Sequence, residues 1–172
     1  RAALETAHSL AEGSEVCWVD SDDRVAPEAI EACLGALDDE HRLVYTWRNI
    51  LSEDGQSSVH DHRNFTVYSP LKILVDHMIF HLRMFRADLF EEAGGVGHFE
   101  SAIDWDMNLR MTEHTEPRCV RKTLYDYRAR PGRISGTARQ ERDSILAVSE
   151  ALSRRKLDYN LEIENGVWRL RS

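Results

Sequence analysis

The 172-residue sequence has little cysteine, no long apolar run and no excess of positive charge. Its three cysteines, Cys17, Cys33 and Cys119, are odd in number and far apart. They predict neither a disulfide framework nor a cysteine-based zinc site, and they favour a reducing, cytoplasmic location. No apolar run approaches the ~20 residues of a transmembrane helix, and the first residues lack the apolar stretch of a secretory signal. We therefore expect membrane association, at the inner face of the cell membrane, only through parts outside this sequence.

The charge balance is acidic, with 22 Lys and Arg against 30 Asp and Glu and a formal net charge of −8. This balance excludes nucleic-acid binding driven by net charge. Hydrophobic residues make up 42% of the chain and charged residues 30%, which are ordinary globular proportions. The length predicts one domain with enough apolar mass for one core.

The hydrophobic pattern predicts helices and strands in the order typical of an α/β domain with a partly parallel sheet. The expected helices cover residues 2–11, the segment after Pro27, 69–77, 87–93, a segment from 101 and 137–155. The expected strands cover residues 15–19, 43–47, 81–85, 119–120 and 124–127. The tail 161–170 alternates around Asn165-Gly166, which is a strong hairpin signal.

An acidic loop, Asp20-Ser21-Asp22-Asp23, directly follows the first predicted strand. Ligands of open α/β sheets bind outside the carboxyl ends of the strands. Three neighbouring carboxylates repel one another unless a cation compensates them, and a hard divalent metal that bridges to phosphates would do so. The alternative, equally open, is that Asp22 or Asp23 makes a turn or caps the helix near Pro27.

A second cluster begins at Gly94-Gly95 and continues through Ser101, Asp104 and Asp106. Ser101 and Asp104 are three residues apart and could form a capping box at the start of a helix. Asp104 could instead act as a general base at the rim of a pocket. Because Asp104 and Asp106 are two apart, we expect them to face different sides of the helix.

These motifs, in this order and followed by Tyr127-Arg128, resemble the second half of a family 2 glycosyltransferase of the GT-A fold, over about residues 1–135. The segments 44–49, 54–55 and 81–85 resemble the glucuronosyl-transferring domain of the bacterial chondroitin- and hyaluronan-type synthases. The resemblance implies a mixed sheet flanked by helices, without the N-terminal βα units that bind the nucleotide base. Residues 136–172 would then form a C-terminal helix and hairpin packed on this catalytic domain.

The resemblance implies inverting transfer of a sugar from a UDP-sugar, either UDP-glucuronate or a UDP-hexose, to a glycan or polysaccharide acceptor. Asp22 would hold a Mn²⁺ or Mg²⁺ ion that bridges the diphosphate, with Asp20 near the ribose or the metal. Asp104 would be the base that deprotonates the acceptor hydroxyl. The implied donor-binding residues are Asp20, Asp22, His81, Arg83, Gly94, Gly95, Arg128 and Arg130, with Arg83 a partner for a uronate carboxylate.

The sequence departs from the family pattern at three points. Ile103 stands where the family often has Glu, and Arg130 stands where it has a His that helps to bind the metal. Arginine is a permanently charged donor, so the metal would have fewer protein ligands, or Arg130 would grip the diphosphate directly. The absent N-terminal units predict an incomplete catalytic domain.

Three other functions are weighed against transfer. The first is a catalytically silent domain of the same fold that binds glycan or serves assembly. The second is a zinc site at His77 and His81, for which no third ligand is evident. The third is a metal-dependent phosphohydrolase that uses the acidic loop, and it lacks a nucleophilic aspartate motif.

Overall fold

The computed structural model describes residues 1–130 and 137–172. Its helices are α1 (Ala2–Ser9), α2 (Ala29–Leu34), α3 (Ala87–Glu92), α4 (Ile103–Met111) and α5 (Ala138–Arg154). Its strands are β1 (Glu15–Trp18), β2 (Arg24–Val25), β3 (Leu43–Leu51), β4 (Ser58–His60), β5 (Arg83–Arg86), β6 (Arg118–Arg128), β7 (Asn160–Glu164) and β8 (Val167–Arg171). None of the described helices is long and apolar enough to cross a membrane.

The main sheet is mixed, with the strand order β1-β5-β3-β6-β2 and with β4 added beside β3. β3 and β6 run parallel, whereas β1 with β5, β5 with β3, β6 with β2 and β3 with β4 pair antiparallel. The expected α/β class and partly parallel sheet are therefore confirmed, and the architecture agrees with the GT-A-like fold that the resemblance implied.

The central strand β3 is buried on both faces. Leu43 and Tyr45 point into one hydrophobic cluster, and Val44 between them points into the other. The larger cluster is closed by α3, α4 and α5, and the smaller one by Ala29 and Cys33 of α2. A strand covered on both sides reads as a continuous apolar run rather than an alternating one, which explains the sequence from residue 43 onward.

The C-terminal segments pack on the same core as the sheet. One face of α5 buries Ala147, Val148, Ala151 and Leu152 in the larger cluster. The hairpin of β7 and β8 adds Trp168, whose ring centroid lies 5.2 Å from that of Trp105 in α4. The predicted long helix and hairpin are both confirmed, and positive φ angles of 51° and 75° at the hairpin's Asn165-Gly166 turn suit its tight geometry.

Two predictions of secondary structure are wrong. The helix expected over residues 69–77 is only a short 3-10 turn, Lys72–Leu74. Here Ile73, Leu74 and the residues from Met78 to Phe80 are all buried, so the chain runs into the core instead of lying across it as an amphipathic helix. The strands expected at 119–120 and 124–127 are one strand, β6, because the chain stays extended through an irregularity at Arg121 and Lys122 and pairs with β3 on both sides of it.

Candidate functional site

Three segments that are distant in sequence meet at one cavity of about 440 Å³. Asp20 follows β1, His81 and Arg83 lie at the start of β5, and Asp104 lies in the first turn of α4. A second cavity of about 340 Å³ shares Asp20, His81 and Asp104 with the first and adjoins it there. The structure thus brings together four of the residues predicted for the site.

Asp104 faces this junction while Asp106 faces the scaffold. Asp104 Oδ2 lies 3.8 Å from both Arg83 Nη1 and His77 Nε2, and 41% of its side chain is exposed to the cavity. Asp106 is buried and accepts hydrogen bonds from Arg110 Nε and Nη2 at 3.1 and 2.9 Å. The expectation that Asp104 and Asp106 face different sides of the helix is therefore confirmed.

The capping box considered for Ser101 and Asp104 is wrong. The residue that precedes α4 is Ala102, in the left-handed region with φ 56°, and it makes no side-chain cap. Ser101 instead donates its hydroxyl and its backbone N–H to Asp143 Oδ2 of α5, at 2.5 and 3.0 Å. Asp104 is therefore free of a capping role, although its Oδ1 accepts the N–H of Trp105 at 2.9 Å.

Arg83 is a buried cation with unused hydrogen-bonding capacity. Only 1% of it is exposed, because β5 lies between β1 and β3 in the sheet. Its Nη2 donates to His81 Nε2 at 2.8 Å, whereas Nε and Nη1 have no hydrogen-bond partner among the described residues. Burial lowers the pKa of Arg83, and the charges of Asp104 and Asp20 oppose that shift. A buried charged group with unmet donors is costly, so this position suits an anionic ligand.

The two histidines beside Asp104 are neutral at pH 7. His81 Nε2 must accept from Arg83, because a guanidinium has no acceptor, and burial with the Arg83 charge lowers the pKa of His81. Burial lowers the pKa of His77 to about 4, although Asp104 opposes the shift. The His77 ring stacks on Trp105 with centroids 5.7 Å apart. These contacts hold both rings against the site.

Asp104 itself is ionised. Burial opposes its charge, but His77, Arg83 and His81 outweigh that effect and lower the pKa of Asp104 to about 2. Since the two histidines are neutral at pH 7, Arg83 supplies the cation there. The result is an anionic carboxylate that lies beside a buried cation and is partly exposed at the cavity.

The acidic loop after β1 forms a turn, closed by a 3.1 Å hydrogen bond from the Asp23 N–H to the Asp20 carbonyl. Of the two structural roles expected for Asp22 or Asp23, the turn is confirmed, whereas the cap on α2 is wrong, because Glu28 precedes that helix and no side chain caps it. Burial and the charge of Asp23 raise the pKa of Asp20, and burial also raises that of Asp23. Negative charge at this loop is therefore only partly compensated.

Arginines from the end of β6 cover the other side of the loop. Arg130 Nε lies 3.0 Å from Asp22 Oδ2, with both side chains partly exposed. Arg128 donates its backbone N–H to Asp23 Oδ1 and its Nε to the Asp22 carbonyl, each at 2.7 Å. The family pattern continues after this point with serines, and the corresponding residues of this sequence, Arg133 and Ser135, lie outside the described residues.

The fit of a divalent metal to this loop follows from its oxygen atoms. Asp23 Oδ2 is buried without a hydrogen-bond partner among the described residues. Burial first, and then the charge of Asp23, raise the pKa of Asp20, and a nearby cation would offset both effects. Within residues 1–130 and 137–172, no three His, Cys, Asp or Glu side chains are grouped to hold a metal. A Mg²⁺-like ion needs only one or two carboxylates when substrate phosphates complete its shell, so the loop fits such an ion.

Gly94 and Gly95 lie apart from these residues. They end α3 with φ angles of 83° and 66°, and Gly95 packs near Phe90. Gly94 lines another cavity, of about 330 Å³, beside Asp106 and Arg110. The structure gives them a helix-terminating role, and it does not bring them to the cavity of Asp104, where the resemblance expected them to approach the donor sugar or acceptor.

Sequence reasoning missed a second group, which lines the cavity on the far side of Asp104. Asp61 Oδ2 accepts from Arg48 Nε at 2.9 Å and from Arg63 Nη2 at 3.0 Å. Both guanidinium groups lie over the Phe80 ring, at 4.0 and 4.6 Å from its centroid. The one signal in the sequence is an arginine, Arg48, within a strand that is otherwise apolar at its start.

The sequence of this chain is similar to those of several known proteins. The chain is 27% identical over 169 residues to a chondroitin synthase of Pasteurella multocida strain Pm70, covering 93% of this chain and 17% of that protein. It is 27% identical over 165 residues to a hyaluronan synthase of Pasteurella multocida, covering 91% and 17%. It is 28% identical over 158 residues to a chondroitin synthase of Escherichia coli, covering 88% and 23%.

The chain thus spans less than a quarter of the length of these relatives. Residues 1–94, more than half of the 172, match the family described as Glycosyl transferase family 2. The match includes the acidic loop, β5 and the residues of the second cavity up to Phe80. From the motifs, the mixed sheet and this match, the chain belongs to glycosyl transferase family 2.

Proposed function

We propose that this chain forms part of the catalytic site of an inverting glycosyltransferase that moves a sugar from a UDP-sugar to a glycan or polysaccharide acceptor. The observation that carries the proposal is the position of Asp104, ionised and open to the cavity, 3.8 Å from the buried Arg83. Asp20 lines the same cavity from the end of β1. We also propose that residues 1–135 carry the catalysis, that residues 136–172 support them, and that the protein is cytoplasmic.

In the proposed reaction, Asp104 is the general base. An acceptor hydroxyl attacks the anomeric carbon of the donor sugar, and its proton moves to a carboxylate oxygen of Asp104. The new bond joins the acceptor oxygen to the anomeric carbon, while the bond from that carbon to the diphosphate oxygen breaks and its electron pair leaves with UDP. One displacement from the opposite face inverts the configuration.

The diphosphate is proposed to bind at the acidic loop and the end of β6. Asp22, with Asp20 beside it, would hold Mn²⁺ or Mg²⁺, and such an ion supplies neutralisation of the charge that develops on the departing diphosphate. Arg130 lies beside Asp22, and Arg128 is anchored on the Asp22 carbonyl. The Arg130 guanidinium would donate to phosphate oxygens in a forked geometry. Arg128 already donates Nε and Nη1 to the carbonyls of Asp22 and Glu53, so it would contribute its positive charge rather than a free fork.

We propose that the donor sugar is a uronate, with Arg83 as the partner of its carboxylate. The unmet donors Nε and Nη1 of Arg83 support this assignment, and His81 supports the guanidinium from the other side. The same pairing would help the base. A carboxylate on Arg83 would weaken its attraction for the charge of Asp104 and raise the pKa of Asp104, making it a better proton acceptor.

The proposal is tested by calorimetric titration of UDP and of UDP-glucuronate into the full gene product, with and without Mn²⁺, followed by a transfer assay with labelled donor. Binding that Mn²⁺ strengthens, together with transfer that Asp104→Asn abolishes, would support the transferase. The Asp22–Arg130 ion pair favours one other function, since it occupies a carboxylate otherwise available to a metal. UDP binding without transfer to any acceptor would support that alternative, a silent domain that binds glycan or serves assembly.

A further inference from the structure

The cavity beyond Asp104 is walled by two arginines that share one carboxylate. Arg48 is buried, whereas the side chain of Arg63 is 44% exposed and faces the cavity. Asp61, only 3% exposed, is their shared partner. The three side chains therefore carry one net positive charge in a chain whose overall charge is −8.

This positive charge is concentrated on an aromatic surface. The Phe80 ring lies against both guanidinium groups, and Tyr127 lies against Arg48 at 4.8 Å. Burial first, and then repulsion from Arg63, lower the pKa of Arg48, whereas the hydrogen bond and the charge of Asp61 oppose that shift. A singly charged anion on Arg63 would balance the group.

We propose that Arg63, supported by Asp61, Arg48 and Phe80, is an acceptor subsite that recognises a singly charged anionic substituent, a carboxylate or a sulfate ester, on the acceptor glycan. The inference rests on the proposed function, because Asp104 at the junction of the two cavities fixes where the acceptor hydroxyl must lie. The donor occupies the cavity of Arg83, so the acceptor enters from the cavity of Arg63. Arg63 Nε and Nη2 already donate to Asp61 Oδ1 and Oδ2, so a ligand carboxylate would meet the outer, Nη1 edge of this partly exposed guanidinium.

Arg63 comes from a different segment of the chain than the arginines proposed to bind the diphosphate, although Asp20 of the acidic loop lines the same cavity. Arg63 lies in the short 3-10 turn after β4, His62–Phe65, whereas Arg128 and Arg130 lie at the acidic loop. A guanidinium that touched the diphosphate would affect donor affinity. One that holds the acceptor would affect acceptor affinity alone.

The test compares chondroitin oligosaccharides with their carboxyl-reduced derivatives, which differ only in the charge of the uronates, and with sulfated forms of the reduced chains. Binding to the full gene product is measured by calorimetry, and transfer by labelled UDP-sugar, for the wild type, Arg63→Gln and Arg63→Lys. Arg169→Gln, a substitution in the hairpin at a partly exposed side chain, is the matched control. Circular dichroism checks that each variant folds.

We expect the wild type to bind the native oligosaccharide about ten- to a hundredfold more tightly than the reduced one, as the loss of a charge-assisted hydrogen bond implies. Arg63→Gln should remove this difference, Arg63→Lys should retain part of it, and the KM for donor should not change. Restored affinity in the sulfated chains would assign the subsite to either anion, and its absence would assign it to carboxylate.

The inference is overturned if Arg63→Gln leaves the preference for native chains unchanged, weakens both acceptors equally, or weakens UDP binding. A protein that shows the Arg63-dependent preference in calorimetry but transfers no sugar would overturn the proposed function and keep the subsite. A protein that transfers equally well to native and reduced chains would support the proposed function and overturn the subsite.

Discussion

Ser101 and Asp143 join the loop before α4 to α5 through two hydrogen bonds on one carboxylate oxygen, at 2.5 Å from the hydroxyl and 3.0 Å from the backbone N–H. Both residues are buried. Asp104, the proposed base, lies three residues after Ser101, in the first turn of α4. The contact with Asp143 of α5 therefore helps to fix the position of this turn.

Ser101→Ala should reduce both stability and turnover. The substitution leaves Asp143 with one donor fewer, which typically costs about 1–3 kcal/mol of unfolding free energy. Urea denaturation measures this loss, and steady-state transfer should show a lower kcat with little change in the KM for donor. Ser149→Ala is the control, because that hydroxyl bonds a carbonyl of its own helix and is exposed. Equal effects in both variants would show that the loop contact has no special role.

Asp104→Asn should abolish transfer while sparing donor binding. An amide cannot accept the acceptor proton, so kcat is expected to fall by about 10²–10⁴. UDP affinity, measured by calorimetry, should remain within error of the wild type. Asp39→Asn, at a side chain that is 95% exposed, is the control. Full activity in Asp104→Asn would remove Asp104 as the base.

Asp22→Asn should weaken the metal-dependent part of donor binding. A neutral amide is a poorer ligand for a hard cation than a carboxylate, and the variant also loses the ion pair with Arg130. We expect Mn²⁺ to strengthen UDP binding to the wild type but to have little effect on the variant. If Mn²⁺ strengthens binding equally in both, the metal does not use Asp22.

Arg83→Lys should narrow the preference for UDP-glucuronate over UDP-glucose. Lysine keeps the charge but not the planar fork that pairs with a carboxylate. The measurement is kcat/KM for each donor, and Arg86→Lys on the same strand is the control, since Arg86 pairs with the exposed Asp39. An unchanged donor preference in a folded Arg83→Lys protein would end the carboxylate assignment.

Because His77 is buried, we expect the free energy of unfolding to decrease in mild acid. Burial lowers its pKa to about 4 in the folded chain, against an ordinary value of 6.5, so between these pH values the unfolded chain binds a proton that the folded chain does not. Above pH 6.5 the imidazole is neutral in both the folded and the unfolded chain, so its protonation does not reduce the free energy of unfolding. As the pH drops from 6.5 towards 4, that free energy falls. Between pH 7 and 4.5 the wild type should lose on the order of 2 kcal/mol more than His77→Gln.

Urea unfolding at the two pH values measures this difference. His62→Gln, at a side chain that is 92% exposed, should behave as the wild type. If His77→Gln loses as much stability in acid as the wild type does, the buried imidazole is not the cause.

Local sequence was sufficient to predict some elements of this structure. Asn165-Gly166 predicts its hairpin because both residues tolerate the positive φ angles that the turn needs. Asp20 and Asp104 were predicted from motifs that follow one another along the chain, and the structure places both at one cavity. The prediction of a helix at 69–77 was wrong because this segment is buried on several sides, not along one apolar face. Such burial depends on tertiary packing, which the local sequence does not show.

The group of Arg48, Asp61 and Arg63 could not be predicted by the same means. It joins β3 to the turn after β4, the strand that pairs with β3, and Phe80 from a later segment packs against both arginines. Isolated arginines in a sequence carry no sign of a shared partner. Gly94-Gly95 is the opposite case, in which the sequence predicted a site that the structure does not form. The resemblance to the family implied contact with substrate, whereas the two glycines terminate α3.

The contact between Trp168 and Trp105 makes the last strand of the hairpin a neighbour of the helix that carries Asp104. A nonsense codon or a protease cut that removed only β8 would leave every proposed catalytic side chain in the polypeptide. It would nevertheless uncover one face of Trp105, whose Nε1 donates to the Ile73 carbonyl and whose ring supports His77. Expression boundaries for this protein should therefore be drawn beyond the hairpin, because activity lost on trimming it would be mistaken for the absence of a catalytic residue.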